Sequence, residues 1–252
     1  MRSAVSNTER KNMNRKKVIV VMPAYNAAKT LVKTYRDIPK SVADNVILVD
    51  DGSRDETVTV AKKLGLRVEV HPQNRGYGAN QKTCYTLALS AKADIVVMVH
   101  PDYQYDSSLT GDLIKPILDG RFDIMLGSRI RTRAEALAGG MPAYKYFSNR
   151  FLTVIENIVL GQNLSEYHTG FRAFTKEILQ KVPFHKYSDD FIFDQQILFG
   201  ALAAGARIGE IAVPVRYFPE ASSINFHRSA VYGLSTLWNL LLYSITSGRN
   251  LR

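Results

Sequence analysis

The sequence predicts an α/β protein: a doubly wound, mostly parallel β-sheet with helices on both faces. Three observations predict it. Five short runs rich in β-branched residues, KVIVVM (17–22), NVILVD (45–50), LRVEVH (66–71), DIVVMVH (94–100) and FDIMLG (122–127), leave room for a helix between each pair. Most are apolar almost throughout, the pattern of strands covered on both faces. The first four lead straight into polar loops, and ligands of such sheets bind beyond the carboxyl ends of the strands.

The elements follow in order. After the first strand, Leu31, Val32 and Tyr35 share one face of a helix over 28–38. Strand 45–50 precedes a helix over 55–64, with Ser53 or Asp55 as its N-cap. Residues 66–71 alternate as a strand does, 79–91 read as helix, 94–100 as strand, 107–119 as helix and 122–127 as strand. Residues 128–143 mix Arg, Ala and Gly without a period and read as a mobile loop. From Tyr144 to Val159, Phe147, Phe151, Val154, Ile155 and Ile158 fall on one helical face. A helix over 191–204 and a strand over 207–218, bent at Pro214, complete the regular part. There is no internal repeat.

With 252 residues and 46% hydrophobic composition, the chain is long and apolar enough for a sizeable core. A single cysteine, Cys84, forbids an intrachain disulfide and fits a reducing compartment. The first apolar run, Val18 to Met22, is too short for a secretory segment or a membrane span. The net charge of +10 raises the question of a polyanionic partner. Its distribution answers it: residues 1–17 carry +5, 18–120 are neutral, 121–150 carry +4, 151–206 carry −2 and 207–252 carry +3. The excess sits in a basic tail over 1–16, read as a disordered arm, in one middle segment and at the C-terminal end. With no recognition motif present, nucleic acid is excluded as a partner.

The polar loops converge on one rim: Pro23-Ala24-Tyr25-Asn26, Asp50-Asp51-Gly52-Ser53, Asn74-Arg75-Gly76-Tyr77-Gly78 and His100-Pro101-Asp102-Tyr103-Gln104. One such loop is ordinary turn chemistry, whereas four together read as a site. Taken in order, VIVVMPAYNA, VILVDDGSRDET, NRGYGAN, VMVHPDYQ, GSR, HTGFRAF and FIFDQQIL resemble a family 2 glycosyltransferase of GT-A fold. The resemblance is nearest to the branch that holds dolichyl-phosphate mannose synthase and other polyprenyl-phosphate glycosyltransferases, and it covers about residues 17 to 220. It implies a GT-A unit over 17–226 followed by a helical segment over 227–252. It also implies an inverting enzyme that moves a sugar from a nucleoside-diphosphate sugar to a lipid phosphate with Mg²⁺ or Mn²⁺. Two alternatives stay open: the same transfer to a saccharide hydroxyl, and a catalytically weak nucleotide-sugar-binding module.

Each residue has its expected part. Asp50 and Asp51 accept hydrogen bonds from ribose hydroxyls or the base, as acidic residues do at other doubly wound sheets. The resemblance places Pro23, Ala24 and Tyr25 as the wall of the base and Asn74 and Gly76 in the nucleotide loop, with Tyr25 alternatively a packing aromatic. The family's Asp-x-Asp is here His100-Pro101-Asp102, followed by Gln104. Asp102 and Gln104 then offer the oxygen donors a hard cation wants, and His100 either joins them, caps the strand or meets a phosphate. Arg129 matches the phosphate-binding arginine, whose fork suits a diphosphate. Arg131 and Arg133 form either an anion funnel or a solvated loop. In the His168-Thr169-Gly170-Phe171-Arg172 motif, Arg172 either holds an acceptor phosphate or braces the loop against a carboxylate such as Asp194. Asp194 is a general base toward a hydroxyl acceptor, and an orienting group toward a phosphate, which is already an anion. Asp189 and Asp190 read as capping residues. The Gly-x-Ser-Lys element of the branch is missing from Tyr217 to Ile224, leaving Arg216, His227 and Arg228 as neighbouring cations.

Residues 229–248 are uncharged but striped. Val231, Leu234, Trp238, Leu241, Leu242 and Ile245 form one face, and Tyr232, Ser235, Thr236, Asn239, Tyr243 and Thr246 the other. That is an amphipathic helix, which packs on the domain, forms a homodimer or lies in a membrane interface; its length would also permit a span, against which the stripes argue. The expected location is cytoplasmic, peripheral on the cytoplasmic face of a membrane.

Overall fold

The computed structural model describes residues 15–130, 132–214, 216 and 226–247, with the side chains of 226, 227, 246 and 247 outside the description. The readings made for most of the basic tail, for Arg131, for Tyr217 to Ile224 and for the side chain of His227 therefore lie outside the described residues.

Seven strands form one sheet: β1 (Val18–Ala24), β2 (Asn45–Asp50), β3 (Arg67–Val70), β4 (Ile95–Met98), β5 (Ile124–Ser128), β6 (Arg172–Thr175) and β7 (Ile208–Ala212), in the order β3-β2-β1-β4-β6-β5-β7. The five expected strands are present, and all pairings are parallel except those of β6, which runs antiparallel to both β4 and β5. Strand periodicity divides the core. Ile19, Val21, Ile47 and Val49 turn to one face of the sheet, and Val18, Val20, Met22 and Leu48 to the other. The first face is covered by α3 (Tyr77–Ser90), α7 (Lys176–Lys181) and α8 (Phe193–Ala203), and the second by α1 (Leu31–Asp37), α2 (Thr57–Lys63) and α4 (Thr110–Leu118).

The structure corrects several expectations. Strand β6 was not anticipated, because its four residues open on an arginine. The stretch expected as a mobile loop contains α5 (Arg133–Ala138), capped by the Thr132 side chain, which accepts from Glu135 N. Ser53 does not cap α2; its hydroxyl accepts from Asn26 N at 2.8 Å, and Asp55 takes the Thr57 N–H at 3.0 Å. Strand β7 stops at Ala212, before the expected bend.

Two long helices complete the described chain, α6 (Ala143–Leu160) and α9 (Phe226–Ser247). They pack on each other, and α9 also packs on α8. Leu240 of α9 is buried in the main core.

Candidate active site

Register brings the motifs together. The ends of β1 and β2 are aligned, with Ala24 opposite Asp50. Because β6 is antiparallel, its first residue, Arg172, pairs with both Met98 and Leu126. The loop preceding β6 therefore lies beside those that follow β4 and β5, and His100, Asp102, Arg129 and His168 share one rim.

On the β1–β2 side the loops are stitched together. Asn26 Oδ1 accepts from Arg54 N at 2.8 Å, and Asp55 accepts from Ala28 N at 3.0 Å. Gly52 is needed twice over: its φ is +75°, and a Cβ there would lie 2.9 Å from Asn74 N. Asp51 is a staple within this side. Its carboxylate takes His71 Nδ1 at 2.7 Å, Arg75 N at 2.9 Å and Gly76 N at 3.0 Å, and it is buried. Asp51 therefore orders these loops, with its side chain turned inward among them. Asp50 Oδ2 accepts from Ser53 N at 2.9 Å, while Oδ1 is buried with no partner. Pro23 and Ala24 are buried in β1, and Tyr25 stands half exposed at its end. Asn74 is exposed and Gly76 half-buried. This group forms an open shelf outside the large cavity described next.

The cavity, about 790 Å³, lies on the β4–β6–β5 side. Tyr77, His100, Asp102, Gln104, Arg129 and Asp194 line its inner part, and Phe147, Phe151, Leu234 and Leu237 line it toward the surface. Asp194, in the first turn of α8, is held from three directions: Tyr77 Oη donates at 2.8 Å, Gln81 Nε2 donates at 2.9 Å and Arg172 Nη1 lies 3.3 Å away. Tyr77 and Gln81 reach it together because they are four residues apart on α3. Both oxygens of Asp194 thus already accept from the protein. Arg172 is fully buried and donates to three backbone carbonyls, Thr169 O at 2.5 Å, Asp194 O at 2.9 Å and Tyr167 O at 3.2 Å. It braces the loop beside Asp194, one of the two parts expected of it, and is not among the residues that line the cavity.

The same network sets the state of His100. Burial pushes the Tyr77 phenol well above its usual pKa, so it keeps its proton. That proton goes to Asp194, so His100 Nε2, 3.2 Å from Tyr77 Oη, must itself be the donor. Burial also pushes the imidazole pKa down. His100 is then a neutral ring whose Nδ1 keeps its lone pair. The ring lies parallel to Tyr77, with centroids 5.5 Å apart, and its Cδ2–Nε2 edge fills the space a side chain at residue 170 would need.

Asp102 and Gln104 share a tight turn in which Gln104 N donates to Asp102 Oδ1 at 3.1 Å. Tyr103 between them has φ +61°, a left-handed conformation uncommon for a bulky residue and costly wherever it persists. Arg216 lies over the Tyr103 ring at 4.7 Å, with its backbone N donating to Gln104 O at 3.0 Å. Burial pushes the Asp102 carboxyl up, only partly offset by His100 and Arg129. No group of three His, Cys, Asp or Glu side chains is poised for a metal among the described residues. One carboxylate with an amide and an imidazole nearby still fits Mg²⁺ or Mn²⁺ whose remaining positions go to phosphate and water.

Arg129 is anchored by a carboxylate the sequence reading overlooked. Glu166, fully buried, accepts from Arg129 N at 2.7 Å and from Nε at 2.9 Å, and it pairs with Nη2 as well. Tyr105 Oη accepts from Gly170 N at 2.8 Å. A second cluster lies behind His168: Glu156 Oε2 is 3.1 Å away without hydrogen-bond alignment, and Gln195 Nε2 reaches both His168 Nδ1 and Tyr232 Oη. Of these, Tyr77 was visible inside NRGYGAN and Tyr232 on the polar stripe of the C-terminal helix, whereas Glu156 lies within a helix and Glu166 just ahead of the His168 motif, and neither carried a signal of its own.

A family model for glycosyl transferase family 2 matches residues 19–183. The chain belongs to glycosyltransferase family 2. Among relatives of this glycosyltransferase, a UDP-N-acetylglucosamine–dolichyl-phosphate N-acetylglucosaminyltransferase of Methanococcus voltae is 26% identical, over 90% of this chain and 96% of that protein. A dolichyl-phosphate hexose transferase of Haloferax volcanii is 25% identical, over 78% and 82%. Glucosyl-3-phosphoglycerate synthase from Mycobacterium tuberculosis, solved with Mn²⁺, UDP and glucosyl-3-phosphoglycerate, superposes with a TM-score of 0.69 at 20% identity, covering 97% of this chain and 86% of that one. That likeness confirms the fold, in which the glycosyltransferase carries its mostly parallel sheet and C-terminal helix.

Proposed function

We propose that this glycosyltransferase moves a sugar from a nucleoside-diphosphate sugar to a polyprenyl-phosphate-type lipid. The observation that carries the reading is the two-ended cavity. Its inner part is polar, and its outer part is lined by Phe147, Phe151, Leu234 and Leu237. A molecule that is a phosphate at one end and hydrocarbon at the other matches that gradient, whereas a saccharide would leave Phe147, Phe151, Leu234 and Leu237 without apolar cover. The names of the dolichyl-phosphate relatives support the same acceptor class.

The donor nucleoside lies on the shelf at Tyr25, Asp50, Asn74 and Gly76, with its diphosphate toward Asp102. Asp102 and Gln104, with His100 beside them on the same loop, would hold a divalent cation, which would supply positive charge for the departing diphosphate. Arg129, fixed by Glu166, and Arg216, against Tyr103, supply positive charge on either side. The acceptor phosphate oxygen forms a bond to the anomeric carbon as the bond to the diphosphate breaks on the opposite face, inverting the configuration. The nucleophile is an anion and needs no base, which agrees with an Asp194 already engaged by Tyr77, Gln81 and Arg172. The test uses UDP- and GDP-sugars, Mn²⁺ and a short-chain polyprenyl phosphate. The expected product is an acid-labile glycolipid, and Asp102→Asn is expected to lower its formation by ~10²-fold or more. Unchanged turnover in Asp102→Asn would remove the cation site.

A further inference from the structure

Helices α6 and α9 are amphipathic in the wrong sense for a protein surrounded by water. In α6 the polar side chains Asn149, Thr153 and Glu156 are buried, while Phe147, Phe151, Val154 and Ile158 are exposed, Ile158 to 76%. In α9 Thr236 is buried and Tyr232 and Asn239 face the protein, while Leu234, Trp238, Leu241 and Ile245 look outward, Leu234 to 69%. The two outward stripes follow the same three- and four-residue spacing. The helices touch, with Leu152 of α6 next to Gly233 of α9. Eleven of the fifteen large exposed apolar side chains among the described residues belong to this pair. Clustering of that kind marks a surface that something apolar covers.

Charge and geometry identify the cover. Across both helices the sole carboxylate is Glu156, which is turned inward, whereas Lys145 and Arg228 are basic and reach the surface, and Arg150 is basic and donates to Ser165 O. The chain as a whole carries +10, so a second copy would bring like charge to like charge. The large cavity also opens between these helices, through Phe147 and Phe151 on one side and Leu234 and Leu237 on the other. A second copy seated there would close it. An anionic bilayer meets the apolar stripes with acyl chains, the basic groups with headgroups and the cavity mouth with the hydrocarbon layer. No helix among the described residues is long and apolar enough to cross a membrane, so the pair lies in the plane of the interface.

We propose that α6 and α9 form one membrane-docking platform, resting in the interfacial layer of an anionic bilayer, with the cavity opening into that layer. A lipid then enters sideways with its hydrocarbon never crossing water. The sideways entry rests on the lipid-phosphate acceptor proposed above; the docking itself does not.

Trp238 makes the test direct, because it is the one tryptophan of the chain and sits in the centre of the exposed stripe, 60% exposed. The full chain is mixed with vesicles of phosphatidylcholine, with or without phosphatidylglycerol, and none containing an acceptor. Docking predicts a blue shift of Trp238 emission, quenching by lipids brominated in their acyl chains, and tighter binding to the anionic vesicles that weakens with salt. Ile158→Ser and Leu241→Ser, both outside the cavity lining, are each expected to lower vesicle affinity by roughly tenfold or more without changing the unfolding temperature. Unchanged emission with both vesicles would overturn the platform, as would a lipid-free dimer in which Trp238 is already shielded. Turnover of a water-soluble short-chain polyprenyl phosphate, measured without vesicles, separates the two claims. Turnover without docking refutes only the platform, and docking without turnover refutes only the acceptor.

Discussion

At Gly170 the chain has no freedom, and the reason is a neighbouring side chain. A Cβ there would lie 2.5 Å from His100 Cδ2 and 2.8 Å from Nε2. Gly170→Ala must push the imidazole away from Tyr77, so we expect a stability cost of ~1–3 kcal/mol. Adding His100→Ala should return most of it, and a double-mutant cycle from denaturant melts measures the coupling. Glu166 gives a pH-dependent prediction. Burial pushes its carboxyl up, but the Arg129 guanidinium and its hydrogen bonds outweigh that and hold it below the usual glutamate value. The folded pKa is the lower one, so the stabilisation is fully present above the unfolded value of about 4.3 and is lost as pH falls through the folded value. Glu166→Gln should cost ~3–5 kcal/mol near neutral pH, because it leaves Arg129 unpaired in a mostly buried site. The gap in unfolding temperature to the wild type should narrow on acidification, and a constant gap would contradict the pairing.

Among the elements, the contact between α3 and α8 positions the acceptor side. Gly78 lets α3 start against the Ser188 carbonyl and Phe193, where a Cβ would come within 2.5 and 2.8 Å. Gly78→Ala should separate Tyr77 and Gln81 from Asp194, lowering kcat while leaving donor affinity, read by nucleotide-sugar thermal shift, close to wild type. The parallel strands were legible because each is a run of β-branched residues long enough to show its period. Strand β6 was not, since a four-residue strand headed by a buried arginine has no period to read. Helix α9 teaches a different lesson. Its two stripes were plain in the sequence, yet periodicity says only that a helix has two faces, and the structure turns the polar one inward. In the site, Asp102, Gln104 and His100 were legible from their loop. The stapling by Asp51 was not, because a carboxylate that contacts a ligand looks the same in sequence as one that staples a loop, and for the same reason the sequence left two readings of Arg172 open.

For the molecule as a whole, part of the positive charge falls with the apolar stripes. The strand-rich half over 18–120 is neutral, and the excess charge lies in residues 1–17 and in the segments that lead into and include α6 and α9. The sheet presents an open shelf at β1 and β2, the proposed donor site, and a cavity at β4, β6 and β5, the proposed acceptor site, whose lining includes the two outward-facing helices. The central claim is the chemistry of the acceptor. The most direct measurement offers a labelled nucleotide sugar to a polyprenyl phosphate and an oligosaccharide in the same reaction and follows the label. The account predicts label in an organic-extractable, acid-labile glycolipid, with little in the oligosaccharide. Label in the oligosaccharide instead, abolished by Asp194→Asn, would contradict it.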